Sequence, residues 1–238
     1  MASFPEPEGC IPEWQAHRIV PSHFPPIEIF ESVLSQDEFE LAAEIEGLTN
    51  DRLRDLTGDI QKVAEEDRVF GAGSSPIMAA FTHMGGPSRF TDGTFGVYYA
   101  ASSLKTAIRE TVFHRERFLA ATQDPPMELT MRCYISKVVL PVDDIRGKPF
   151  ESLYDPSPDR YGLSQDYARA RREAGSHGLL YRSVRDSAGE CIAAFRPRTM
   201  ALPWQGPHLR YVWDGRQITD TFRITRHRRL AADFDDAP

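Results

Sequence analysis

An α+β fold, with a largely antiparallel mixed sheet flanked by helices, follows from three observations on this 238-residue sequence. Helical patterns come first, then strand–helix–strand, then a helix, then a run of short strand patterns. The last two strand patterns are separated by Asp214-Gly215, a strong hairpin signal. Regular strand–helix alternation is missing, which argues against a doubly wound sheet. The glycines fit this view. Gly71-Ala72-Gly73 lacks the preceding strand and third glycine of a dinucleotide fingerprint, and no Gly-Lys-Ser/Thr follows it.

Residues 1–26 carry prolines at 5, 7, 12, 21, 25 and 26 and read as an extended lead-in. Ser35 to Leu48 reads as a helix. Ser35 and Glu38 form a capping box, Phe39, Leu41, Ala42 and Ile45 an apolar stripe, and Gly47 the stop. A short helix over Asp51 to Leu56 ends at Gly58. Six glycines make 71–96 loop-rich. Val97 to Ala100 reads as a buried strand. Ser102 or Ser103 then caps a helix to about Ala120, with Leu104, Ala107, Ile108, Thr111 and Val112 as its apolar stripe. Leu129 to Leu140 alternates like a strand. Pro156 and Pro158 mark a loop before a helix at about Ser164 to Ala174, ended by Gly175. Strands are expected over Leu179–Val184, Cys191–Phe195, Leu209–Trp213 and Ile218–Ile224. The tail from Asp233 is expected to fray.

Composition narrows the function. Hydrophobic residues are 41% and charged residues 26%, a globular balance. Net charge is -7, which disfavours a polyanion such as nucleic acid as the bulk partner. No apolar run approaches the ~20 residues of a membrane helix. Met1 to Cys10 is acidic and Pro-rich, without the pattern of a signal peptide, so a cytoplasmic location is expected. Cys10, Cys133 and Cys191 are widely spaced and suggest neither a metal site nor a disulfide framework. They are expected as reduced thiols, the last two inside strands. The histidines show no zinc spacing, and His114 and His177 read as surface or capping groups.

The most informative stretch is Ser88 to Glu110. It sets an arginine after a glycine loop, a tyrosine pair in a strand, and a glutamate two turns into the next helix. Arg89 reads as a solvated loop arginine or as a phosphate clamp, because guanidinium grips phosphate oxygens as a fork. Tyr98 and Tyr99 point to opposite faces, one to the core and one to a cleft; pattern alone does not choose. Glu110 lies roughly 130° from the centre of its helix stripe at 100° per residue. That reads as a solvated flank paired with His114. Phe113, opposite the main stripe, suggests cover instead, and a covered carboxylate needs a reason. Ser183 ends a strand and sits in no Gly-x-Ser-x-Gly elbow, which argues against a hydrolase nucleophile.

Arg89, Tyr99, Glu110 and Ser183, in this order, resemble the RES-domain family, named for its Arg, Glu and Ser. Gly93 to Glu110 resembles the family core most closely: a glycine turn, a Val-Tyr-Tyr strand, then Ser-x-x-x-Ala-x-x-Glu. Tyr99, 11 residues before the glutamate, resembles the family's tyrosine in spacing, and the resemblance selects it over Tyr98. Arg18 resembles the family's first arginine, and Tyr181-Arg182-Ser183-Val184 with Cys191 to Pro197 its serine and return strands. The family's Gly-Arg-Trp-Asn stands here as Pro87-Ser88-Arg89-Phe90-Thr91. About 70 residues separate Arg18 from Arg89, so the resemblance implies one RES-type domain over 1–238 with a helical insertion at about 31–80.

The resemblance implies an ADP-ribosyltransferase-like fold and a bacterial toxin of a toxin–antitoxin pair that acts on NAD. NAD is then a substrate, with no cofactor and no metal required. Glu110, Arg89 and Ser183 become catalytic candidates, and Arg18 and Tyr99 substrate-binding ones. Arg89 and Arg18 would hold the pyrophosphate and Tyr99 would stack on nicotinamide or ribose. Glu110 would stabilise the developing cation, and Ser183 would orient Glu110 or bond the nicotinamide amide. Cleavage of the nicotinamide–ribose bond, by water or phosphate, is the leading expectation. Transfer of ADP-ribose to a protein is a second, and a non-catalytic nucleotide-binding or interaction module a third. The family partner is a helical, DNA-binding antitoxin of the Xre type that covers the cleft. No direct nucleic-acid or membrane contact is expected.

Overall fold

The computed structural model describes residues 4–22, 59–71, 73–83 and 85–225. The helices expected over Ser35–Leu48 and Asp51–Leu56, and the tail from Asp233, lie outside the described residues. Among the described residues nine strands form one sheet: β1 Glu8–Cys10, β2 Ala16–Pro21, β3 Tyr98–Ala101, β4 Met127–Ser136, β5 Val142–Asp144, β6 Gly178–Arg182, β7 Glu190–Ala194, β8 Trp204–Trp213 and β9 Ile218–Ile224. Their order is β1-β5-β6-β7-β3-β2-β4-β8-β9. β5–β6 is parallel and the other pairings antiparallel. The α-helices among the described residues are α1 Ser75–Thr82, α2 Leu104–Thr122 and α3 Gly162–Glu173. This is the expected α+β class with a largely antiparallel mixed sheet.

Both faces of the sheet are covered. One core gathers Ile19, Phe90, Met131, Cys133, Leu179, Tyr181 and Tyr211, with α2 and α3 contributing Ala107 and Ala168. The other gathers Ile77, Met78 and Phe81 of α1 against Tyr98, Leu180, Ile192 and Ala194. The two-residue strand period explains the split, since Tyr98 and Tyr99, or Cys191 and Ile192, must point to opposite faces.

Two local readings are corrected. The proline-rich lead-in supplies strands, and β2 lies near the middle of the sheet, in register with β4 from Ala16↔Ser136 to Pro21↔Met131. Proline is compatible with this because Pro21 stands at the strand's end. The glycine-rich segment 71–96 contains α1, whose Pro76 stands in the first turn, where its missing N–H costs nothing. Gly96 belongs to the packing beneath α1. A Cβ there would stand 2.4 Å from the Ala80 carbonyl oxygen.

Other expectations hold with shifted ends. Ser103 caps α2, its hydroxyl accepting from the Thr106 amide at 3.1 Å. The strand expected to reach Leu140 stops at Ser136. At the hairpin, the Asp214 carboxylate accepts from the amides of Arg216 and Gln217, and Gly215 takes φ +97°. Cys133 and Cys191 are reduced and buried within β4 and β7.

Candidate active site

The site lies where the sheet parts. β2 makes six register pairs with β4, and β3 makes four with β7, but β2 and β3 share the single pair His17↔Ala101. Beyond that pair the strands diverge, and α2 packs across the opening. A cavity of about 320 Å³ results, walled by Arg18, Arg89, Tyr99, Glu110, His114 and Tyr161 among others. That volume falls in the range of small-molecule sites.

Glu110 projects from α2 into this cavity. The Ser183 hydroxyl donates to Glu110 Oε1 at 2.5 Å. The direction of that bond is forced. Ser183 Oγ already accepts from the backbone amides of Arg185 (3.1 Å) and Asp186 (2.9 Å), so its one proton is left for the carboxylate. Ser183 is 6% exposed. Burial raises the Glu110 pKa above its ordinary value, opposed by the Ser183 bond and by the charges of Arg89 and Arg185. The solvated pairing with His114 is replaced by this contact, and the expected cover is real. Phe113 lies under the Arg185 guanidinium at 3.4 Å.

Arg89 is 7% exposed and rigidly placed. Its Nη1 donates to the carbonyls of Leu153 (3.1 Å) and Asp155 (2.9 Å), its Nη2 to the Tyr161 hydroxyl (3.2 Å). The guanidinium lies over the Tyr161 ring at 4.4 Å. The solvated-loop reading therefore fails. One edge of the fork is committed to the protein, and the fixed charge faces Glu110.

Tyr99 braces the arginine. Its hydroxyl bonds Ser88 Oγ at 2.8 Å and accepts from the Phe90 amide at 3.0 Å, clasping the segment on both sides of Arg89. Burial pushes its pKa up to about 12, so it stays a neutral phenol. Tyr98 is the core tyrosine, 0% exposed, with the Arg18 guanidinium over its ring at 4.6 Å. Arg18 Nη1 donates to the Tyr99 carbonyl at 3.1 Å, while its Nε is buried without a partner. Arg18, Ser88 and Tyr99 also line a second cavity of about 240 Å³, continued by Gly85, Gly86 and Thr91.

The structure thus gathers all five sequence-selected residues, four of them in the cavity wall and Ser183 behind Glu110. It adds others. Arg115 and His114 line the mouth. Partial burial and the charges of Arg185, Arg117, Arg89 and Arg115 push the His114 pKa down to about 4, leaving a neutral imidazole. Cys191 and Tyr181 line the floor. A sequence signal existed for His114 and Arg115, which follow Glu110 by about one turn. None existed for Tyr161, which arrives from a distant loop. Among the described residues no three His, Cys, Asp or Glu side chains converge as metal ligands.

In chemical terms this is one partly buried carboxylate, held by a forced donor, among several guanidinium groups. Such a cavity suits an anionic ligand that develops positive charge beside the carboxylate. The RES domain model matches residues 65–214, and the chain belongs to that family. A protein of Sinorhizobium fredii, y4oC, is 28% identical over 230 residues, covering 93% of this chain and 88% of its own. A chain in the crystal structure of the M. tuberculosis MbcT–MbcA toxin–antitoxin complex aligns with 92% of this chain and 86% of its own, at 11% identity and a TM-score of 0.40.

Proposed function

We propose that this protein cleaves the nicotinamide–ribose bond of NAD, and that it does so as the toxin of a type II toxin–antitoxin pair. The observation that carries the proposal is the Ser183–Glu110 pair at 2.5 Å in an arginine-lined cavity. Membership of the RES family supports the same reading. So does the shape of the space. Two cavities flank one partition of Arg18, Ser88 and Tyr99, as a two-part ligand with an anionic waist requires. A dinucleotide has that form, its pyrophosphate matched by guanidinium groups.

In this reading the bond from ribose C1′ to the nicotinamide nitrogen breaks, and its electron pair neutralises the pyridinium. Positive charge develops on the ribose. Glu110 stabilises it, preorganised by the Ser183 donor and needing no rearrangement as the charge forms. Arg89 and Arg18 balance the pyrophosphate, and Tyr99 holds Arg89 in place. The acceptor then bonds C1′ and loses a proton. Water or phosphate as acceptor makes the enzyme a glycohydrolase or a phosphorylase. A protein acceptor would make it an ADP-ribosyltransferase.

The same proposal takes the chain as one RES-type domain with an insertion at about 31–80, working in the cytoplasm. Its partner is an Xre-type helical antitoxin that covers the cleft. The deciding assay follows nicotinamide release from NAD by purified protein, with and without phosphate. Release that Glu110→Gln abolishes is expected, and phosphate dependence would name the acceptor. No release, with adenine-labelled NAD transferring label to no protein, would leave a non-catalytic module.

A further inference from the structure

The turn that carries Ser183 is tied to the glutamate's own helix by a second contact, through Asp186. Asp186, in the turn between β6 and β7, is 4% exposed. Its carboxylate accepts from Thr106 Oγ1 at 2.9 Å and from Arg109 Nη1 at 2.7 Å. Thr106 stands one turn before Glu110 on α2, and Arg109 is its immediate neighbour. The Asp186 amide donates to Ser183 Oγ, and its carbonyl accepts from the Gly189 amide at 2.8 Å. The Ser183 amide in turn donates to the Gly189 carbonyl at 2.9 Å. A closed loop of bonds therefore runs from α2 through Asp186 to Ser183 and back to α2 at Glu110.

The packing is built for this tie. Gly189 lies against Thr106, where a Cβ would meet Thr106 Cγ2 at 2.4 Å. A larger residue there would push Thr106 off the aspartate. The Asp186 carboxyl is held below its ordinary range by the Thr106 bond, with the charges of Arg109 and Lys105 adding to it, so it is ionised at neutral pH.

We propose that Asp186 is a positioning residue, which fixes Ser183 as the obligatory donor to Glu110 by stapling the 183–189 turn to Thr106 and Arg109. The proposal rests on the catalytic reading of Glu110. Its geometry, however, makes a prediction that needs no turnover. Asp186 acts on Glu110 in two opposed ways. As a bare negative charge it disfavours the ionised carboxylate, and through the Ser183 bond that it secures it favours it. Removing the aspartate therefore moves the Glu110 midpoint up if positioning dominates and down if only charge matters.

The test is a carboxyl ¹³C titration of the full chain labelled at glutamate, with the Glu110 signal identified by its loss in Glu110→Gln. The other groups around Glu110, Arg89, Arg185, His114, Tyr181 and Cys191, stay in every variant. Asp186→Ala and Ser183→Ala should each raise the midpoint, and the double variant should stand no higher than Ser183→Ala alone. A fall, no change, or additive shifts would overturn the proposal. Should Asp186→Ala fail to fold, Thr106→Val keeps the charge while removing a bond, and a rise is again expected; an unmoved midpoint there refutes the staple. In turnover, Asp186→Ala should lower kcat by up to roughly 10²-fold with the KM for NAD within about twofold, the signature of misplacement. A wild-type protein that releases no nicotinamide would refute the catalytic reading alone and leave the titration to judge the staple.

Discussion

Two stretches of the same sheet follow opposite rules. β4, β8 and β9 form a long antiparallel ladder, paired from Met127↔Trp213 to Ile135↔Trp204 and from His208↔Ile224 to Trp213↔Ile218. At β2 and β3 a single pair holds, and the gap is filled with arginines, a glutamate and a serine. The ladder pairs backbone with backbone along β4, β8 and β9 and buries Trp213 and Tyr211. The gap leaves backbone to be satisfied by side chains, as when Arg18 caps the Tyr99 carbonyl. Pairing gives stability, and interrupted pairing gives a place for chemistry, with polar groups whose burial costs free energy.

The largest expected effect breaks the gap chemically. Glu110→Gln should reduce nicotinamide release by at least ~10²–10³-fold, the scale of losing one preorganised electrostatic group. The ladder's counterpart is Trp213→Ala. It should cost about 3–5 kcal/mol in urea unfolding, from the cavity and from the lost bond of its Nε1 to the Asp124 carbonyl at 3.0 Å. Turnover per folded molecule should be unchanged.

A middle-sized effect joins the two regions. Tyr99→Phe leaves the Phe90 amide without its acceptor, so a loss of roughly 1–3 kcal/mol is expected, together with a weaker apparent affinity for NAD as Arg89 loosens. The same stability loss with unaltered NAD affinity would show that the brace serves the fold alone.

The smallest effects concern pH. Glu110 has a raised pKa when folded, so its contribution falls as pH rises from the unfolded value through the folded one. At neutral pH Glu110→Gln should therefore melt slightly higher than wild type, and the difference should close in acid. His114 is displaced the other way, from 6.5 to about 4. Its contribution is full above about 6.5 and lost as pH falls toward 4, and His114→Gln should flatten that part of the stability curve. An acid limb of stability identical in wild type and variant would show that other groups set it.

Much of this was legible in the sequence, for identifiable reasons. Strand period, the Ser103 cap and Asp214-Gly215 are local signals, and the elements they mark stand close to where they were expected. β2 was hidden because prolines at its borders suppress every local strand signal, while its partners β3 and β4 lie more than 75 residues away in sequence. α1 was hidden because flanking glycines dominate a short window. In the site, residue chemistry marked Arg89 and Glu110, while Tyr99 and Ser183 were selected by the resemblance to the RES family.

The sequence by itself determined the α+β class, the helix that carries Glu110, and the set of residue types able to stabilise a cation beside an anion. Those follow from periodicity, capping and side-chain chemistry, which act over a few residues. Tertiary structure alone decided that β2 and β3 part, that Tyr161 pins Arg89, and that Ser183 must donate to Glu110. These depend on contacts across 72 and 73 positions, and on two backbone amides that take both lone pairs of one hydroxyl. A pattern read along the chain carries no distance between such groups; only the packed sheet sets it.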